Sequence, residues 1–162
     1  MSYSVDVTKE YQKAKSKLFR VALLFSLVLA ITIIVDVLLV ILANEKYLVN
    51  LIFAIIITAL FSYFAIFFFG NIYPEANGQY QYFKGYNSGI QPIEEVEFLK
   101  KSDELCYING LYVYPVYVRY SVGLNKIDKV IFAFSNDIDF EMGDDLTITT
   151  YQRILIKAEK HA

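Results

Sequence analysis

A chain of 162 residues has room for one domain, or for one small domain and an anchor. Apolar residues make up 56% of it and the mean hydropathy is +0.41, high for a water-soluble domain of this length. The net charge of −2 hides an uneven spread: residues 1–20 carry five basic and two acidic groups, residues 74–162 nine basic and thirteen acidic, and an acidic carboxy-terminal half excludes nucleic acid as the main partner.

The basic start, with Lys9, Lys13, Lys15, Lys17 and Arg20, reads as an amino-terminal helix extension over residues 1–20. Two apolar segments follow, at about 21–43 and 48–69, and together they define a helical hairpin over 21–72. Each reaches the roughly 20 residues needed to cross about 30 Å of hydrocarbon, and neither shows the polar stripe of a soluble core helix. The link Asn44-Glu45-Lys46 is short enough to force antiparallel helices. With five Lys/Arg before the first segment and one in the link, the positive-inside rule places both termini in the cytoplasm of a multi-pass cell-membrane protein. Lys13, Lys17 and Arg20 read first as topology signals and second as contacts to anionic lipid.

Asp36 interrupts the first apolar segment. With the turn at Glu45 it falls opposite Ala54, and Thr32 opposite Thr58. One face of the first helix then holds Ala22, Leu29, Thr32, Asp36 and Ala43; one face of the second holds Asn50, Ala54, Thr58 and Ser62. Small and hydroxylated residues at this spacing let two backbones approach and bond across a seam. The sequence therefore predicts a helix–helix seam at Thr32, Asp36, Asn50, Ala54, Thr58 and Ser62, shared within the chain or with a second copy. A proton or ion pathway through Asp36 is the competing reading.

Pro74 is expected to stop the second helix, with Asn77-Gly78 and residues 87–89 as turns. Tyr80, Tyr82, Phe83 and Tyr86 are then either a partner surface or packing beneath the next domain. From Ile93 the pattern becomes that of strands. Asn109-Gly110 marks a hairpin that pairs Ile108 with Leu111 and Cys106 with Val113. Beyond it Tyr112, Tyr114, Val116, Val118, Tyr120 and Val122 share one face, and Pro115 requires an edge or a bulge. Residues 126–134 form another strand. Leu146, Ile148, Ile154 and Ile156 alternate with Asp145, Thr147, Arg153 and Lys157. The expected fold is membrane α+β: a transmembrane hairpin and a cytoplasmic β-rich domain at 74–162, built as a small antiparallel barrel or sandwich.

Catalytic signatures are absent from the sequence: it has no glycine-rich phosphate loop, nucleophile elbow or His-Glu pair, and no cofactor is implied. The lone Cys106 rules out an intrachain disulfide, and with His161 as the single histidine no zinc site of usual composition can be assembled within one chain. The acidic run 135–145 holds Asp137, Asp139 and Glu141 but carries Met142 where an EF-hand loop needs its turn Gly and Ile148 where it needs its ligand Glu, so it reads as a solvated strand edge and turn. In outline the plan resembles bacterial membrane-anchored barrel or PH-like modules, with no motif that transfers residue roles. The expected function is a non-catalytic interaction or accessory module of a membrane complex, with the lipid bilayer and a protein or second copy as partners. An oligomeric channel or transporter subunit, and a metal-dependent enzyme using residues 137–145, are the alternatives.

Overall fold

The computed structural model describes residues 2–41, 47–86, 88–108, 110–122 and 125–161. The link Asn44-Glu45-Lys46, Ala43 on the expected seam, and the turn residues Asn87 and Asn109 lie outside the described residues. The chain divides into two compact units, a helical one at 13–77 and a sheet-bearing one made of 1–12 with 78–162.

The helices are α1 (Val7–Ile41), α2 (Tyr47–Phe67) and α3 (Tyr73–Tyr86), with a π-helical turn at Phe68–Ile72 between the last two. Asp6 caps α1: its Oδ1 accepts from Lys9 N at 3.0 Å, satisfying an amide that has no intrahelical partner. Among the described residues two helices are long and apolar enough to cross a membrane. Within the helical unit, the shielded positions of α1 include Val21, Phe25, Val28, Thr32, Val35 and Leu39, spaced alternately by three and four. On α2 and the π turn they are Asn50, Ala54, Ile57, Phe61, Phe64 and Phe68. This 3.5-residue period is the seam geometry of two helices crossing at a shallow angle. Contacts run antiparallel, as expected. Asp36 meets Thr58, Phe25 meets Phe68 with ring centroids 4.6 Å apart, and Lys17 pairs with Glu75 at 2.7 Å.

Pro74 does not stop the helix. It occupies the second position of α3, directly after the π turn, where Tyr73 N bonds Phe68 O five residues back. A proline in an α-helix clashes with the carbonyl four residues earlier, and the extra residue of a π turn opens the backbone there. The expected turn at Asn77-Gly78 is accordingly helical.

In the other unit the strands are β1 (Ser2–Ser4), β2 (Ile93–Lys101), β3 (Cys106–Ile108), β4 (Leu111–Val122), β5 (Asn125–Ala133), β6 (Asp145–Tyr151) and β7 (Ile154–Lys160). They form one mixed seven-stranded sheet of order β1-β7-β5-β4-β2-β6, with β3 on β4 and a further pairing of β6 to β7. The wholly antiparallel arrangement expected from the sequence is corrected at one place: β5 and β7 pair in parallel at Phe132 and Ile154. The start of the chain is also not helix throughout, because Ser2–Ser4 pairs with β7 and Tyr3 enters the core.

The hairpin at Gly110 has the expected register, Cys106 with Val113 and Ile108 with Leu111, and Gly110 takes φ 83°. The single-face reading of β4 fails at Pro115. Leu111 and Val113 are buried in the first half, Val116, Val118 and Tyr120 in the second, and Tyr112 is exposed. Pro115 needs no amide partner because β2 ends beside it; its carbonyl accepts from Ser102 N, one residue past the strand. The core is built from Val96, Phe98, Val116, Val118, Ile131, Leu146, Ile148 and Leu155 with Tyr3 and Ile138.

Candidate functional site

Along four neighbouring strands the core-facing stripe turns polar at the same end. On β2, Phe98 and Val96 give way to Glu94; on β4, Val116 and Val118 to Tyr120. On β5, Ala133 and Ile131 give way to Lys129, and on β6, Leu146 and Ile148 to Thr150. Glu94, Tyr120, Lys129 and Thr150 line a cavity of about 470 Å³ with Pro92, Val130, Ile131, Phe132, Gln152 and Arg153.

The polar groups are held in defined places. Tyr120 Oη donates to Glu94 Oε2 at 3.1 Å, and Lys129 Nζ stands 4.4 Å from the centroid of the Tyr120 ring. Burial, reinforced by the Glu94 carboxylate, raises the Tyr120 phenol well above its ordinary value, so it stays a donor. Among the described residues Lys129 and Arg153 have no ion-pair partner. At the rim, the β6–β7 turn is two residues long, with Tyr151 paired to Ile154. Gln152 and Arg153 take φ 49° and 66°, a conformation that Asn and Gly adopt far more readily. Phe132 N donates to Arg153 O at 2.9 Å and fastens this turn to β5.

Sequence reading missed this site. As sequence, the run 145–159 is one alternating pattern, because Gln152-Arg153 carries no turn signal. The residues at the ends of four stripes were each unremarkable as local sequence.

The expected seam is brought together in part. Thr58 Oγ1 donates to Asp36 Oδ2 at 3.0 Å, one helical turn beyond the Ala54 expected opposite Asp36. Asp36 Oδ1 is enclosed and has no hydrogen-bond partner among the described residues. Ala54 is buried, Asn50 and Thr32 are half-buried, and Thr32 Oγ1 donates to Val28 O within its own helix. Thr58 and Ser62 lie at the exposed margin of the stripe, where Ser62 Oγ bonds Thr58 O. The shielded side of α2 is filled by Ile57, Phe61 and Phe64 instead.

The tyrosines read as a partner surface are packed. Tyr82 and Phe83 are buried, Tyr82 Oη donates to Tyr151 O at 3.0 Å, and Phe83 stacks on Phe134 at 5.5 Å. Tyr80 stacks on Tyr11, and Tyr86 meets Tyr151 edge-on. The acidic run is engaged locally. Asp144 pairs with Lys160 at 2.6 Å and accepts from Glu141 N, while Asp137 accepts from Ser135 Oγ. Among the described residues no three His, Cys, Asp or Glu side chains converge as a metal site. A second cavity of about 500 Å³, beside Glu95, Glu97, Asp145 and His161, has Glu97 already paired with Arg119 and Lys126.

Comparison with protein-family models, with curated proteins and with solved structures finds no match for this chain.

Proposed function

We propose that the chain is a multi-pass membrane protein whose helical unit is the anchor and whose sheet unit is a non-catalytic docking module of a membrane complex, exposed to the cytoplasm with both termini. The observation that carries the anchor is the outer surface of α1 and α2, where Leu23, Leu27, Ile31, Ile34, Ile52 and Ile55 are exposed. So much contiguous apolar surface is tolerated in lipid and not in water. A second observation supports an even number of crossings. β1 precedes α1 and β7 follows α3, yet the two strands pair in one sheet, and a bilayer cannot divide a sheet. The basic residues before the first span then favour the cytoplasmic side. The pairing of β6 with both β2 and β7 supports reading the sheet as closing toward a small barrel.

Thiol labelling tests this reading. In a Cys106→Ser background, Lys46→Cys is labelled by an impermeant maleimide outside intact cells, and Ser2→Cys is labelled only after lysis. Labelling of Ser2→Cys from outside, or extraction of the chain by alkaline carbonate, overturns it. The oligomeric channel reading is favoured by one observation, the enclosed Oδ1 of Asp36, which has no hydrogen-bond partner among the described residues. Ion flux from reconstituted protein that is abolished by Asp36→Asn selects it.

A further inference from the structure

Four consecutive residues, Lys129, Val130, Ile131 and Phe132, line the cavity described above. Alternate residues of a strand point to opposite faces, so a cavity touching four in a row runs along the strand's edge. That edge is open. β5 pairs with β4 from Asn125 to Ala133 but with β7 at Phe132 alone. The Phe132 amide points away from β4, toward Arg153 O, and it lies opposite Pro115, which has no amide to offer. Antiparallel pairing alternates, so Val130, Asp128 and Lys126 turn their peptide groups to the same outward side. Among the described residues no strand meets them.

An open edge is usually guarded, and charged residues along it are the common guard. Here Asp128 is held by Arg119 at 2.7 Å and Lys126 by Glu97 at 3.3 Å. Ile127 between them and Val130 beyond Asp128 are exposed. The charges left over are the cations Lys129 and Arg153 on the two sides of the groove, against the single carboxylate of Glu94, which already accepts from Tyr120. The far wall is the strained Gln152-Arg153 turn, whose side chains a relaxed Asn-Gly turn would lack.

We propose that the free edge of β5 from Lys126 to Val130 is a strand-addition site for an extended, acidic segment of a partner protein, with Lys129 and Arg153 receiving its carboxylates. Main-chain bonds to Val130 and Asp128 supply affinity, and the two cations set the preference for acidic side chains. This rests on reading the sheet unit as a docking module, and it names where the partner binds and what its chemistry is.

The test uses the full chain in detergent micelles and an end-blocked, fluorescein-labelled octapeptide of alternating glutamate and valine, with an alternating lysine and valine peptide as control. Fluorescence anisotropy is expected to show saturable binding of the glutamate peptide, at least tenfold tighter than the lysine peptide. Val130→Pro removes one outward amide and leaves pairing to β4 intact, so it weakens binding at least tenfold with the thermal transition retained. Should Val130→Pro lose that transition, the double variant Lys129→Glu with Arg153→Glu decides alone, by inverting the preference between the two peptides. Absence of saturable binding, equal binding of both peptides, or unchanged binding in both variants overturns the proposal. So does a doubled mass in detergent that Val130→Pro abolishes, because the edge is then taken by a second copy. If the peptide fails but photocrosslinkers on other strands of the sheet unit still trap a partner in native membranes, the docking reading survives and this edge is excluded. If those crosslinks fail while the peptide binds as described, the site stands and the membrane-complex reading falls.

Discussion

Tyr151 occupies the space that side chains at positions 85 and 89 would need. A Cβ built on Gly85 meets Tyr151 Oη at 2.6 Å, and one built on Gly89 meets ring carbon Cε2 at 2.3 Å. The end of α3 therefore approaches the end of β6 with no side chain between them, and Tyr82 Oη bonding Tyr151 O ties the same two elements together.

The two glycines should respond differently to the same repair. Gly85→Ala destabilises the sheet unit by about 1–3 kcal/mol through overpacking, offset in part by the better helix propensity of alanine. Adding Tyr151→Phe removes the clashing hydroxyl and leaves the ring carbon Cζ at 3.6 Å, an ordinary contact, so stability returns. Gly89→Ala meets the ring itself and is not rescued by Tyr151→Phe. Thermal unfolding of the two single and two double variants checks this, and equal rescue at both positions contradicts the geometry.

Relaxing the β6–β7 turn should stabilise the protein. Replacing Gln152-Arg153 by Asn-Gly places at both left-handed positions residues that accept positive φ, worth about 1–2 kcal/mol. The unfolding midpoint rises, and affinity for the acidic peptide falls because Arg153 is gone. A drop in stability would show that the native side chains are held by contacts stronger than the backbone strain.

In the helical unit, Ala54→Leu should cost more than Thr58→Val. Ala54 is buried on the shielded stripe, and a larger side chain there costs about 1–3 kcal/mol. Thr58→Val loses only the bond to Asp36, worth about 0.6 kcal/mol by analogy with other interhelical bonds in membranes. Unfolding of the helical unit in mixed micelles ranks the variants. The reverse order would make the Asp36–Thr58 bond, and not close packing, the principal tie between α1 and α2.

Alkaline pH should unfold the sheet unit. Burial raises the phenols of Tyr3, Tyr82 and Tyr120 above their ordinary value of about 10. Each is protonated in both states below pH 10, so its contribution is fully present there. As pH rises past 10 the unfolded chain loses these protons first, and stability falls toward the raised folded values. The unfolding midpoint should drop above pH 10, with tyrosinate absorbance appearing in step with loss of structure. Tyr120→Phe removes one of the three groups and makes the decline shallower.

What the sequence made legible was whatever its local pattern encoded. The apolar lengths of α1 and α2 were visible, as were the Gly110 hairpin register and the alternation around Leu146 and Ile148. What it hid depends on partners far along the chain. β1 is three residues long and is a strand only because β7 lies beside it. Pro74 looked like a stop because the π turn that admits it has no sequence signature. The parallel contact of Phe132 with Ile154 carries no period of its own. The Asp36 partner lies one turn from the position that symmetry about Glu45 predicts, because helices meet where their side chains interlock.

Ser2 pairs with Glu159 and Ser4 with Lys157. On a translating ribosome the first strand therefore emerges long before the one it needs. The segment that follows it has the whole of synthesis in which to settle, while the sheet stays incomplete. Closing it is a late, non-local event, slow by nature, and its rate depends on how long Tyr3 waits unburied. A bulky fusion ahead of Ser2 would be felt as slow maturation before it was felt as lost stability.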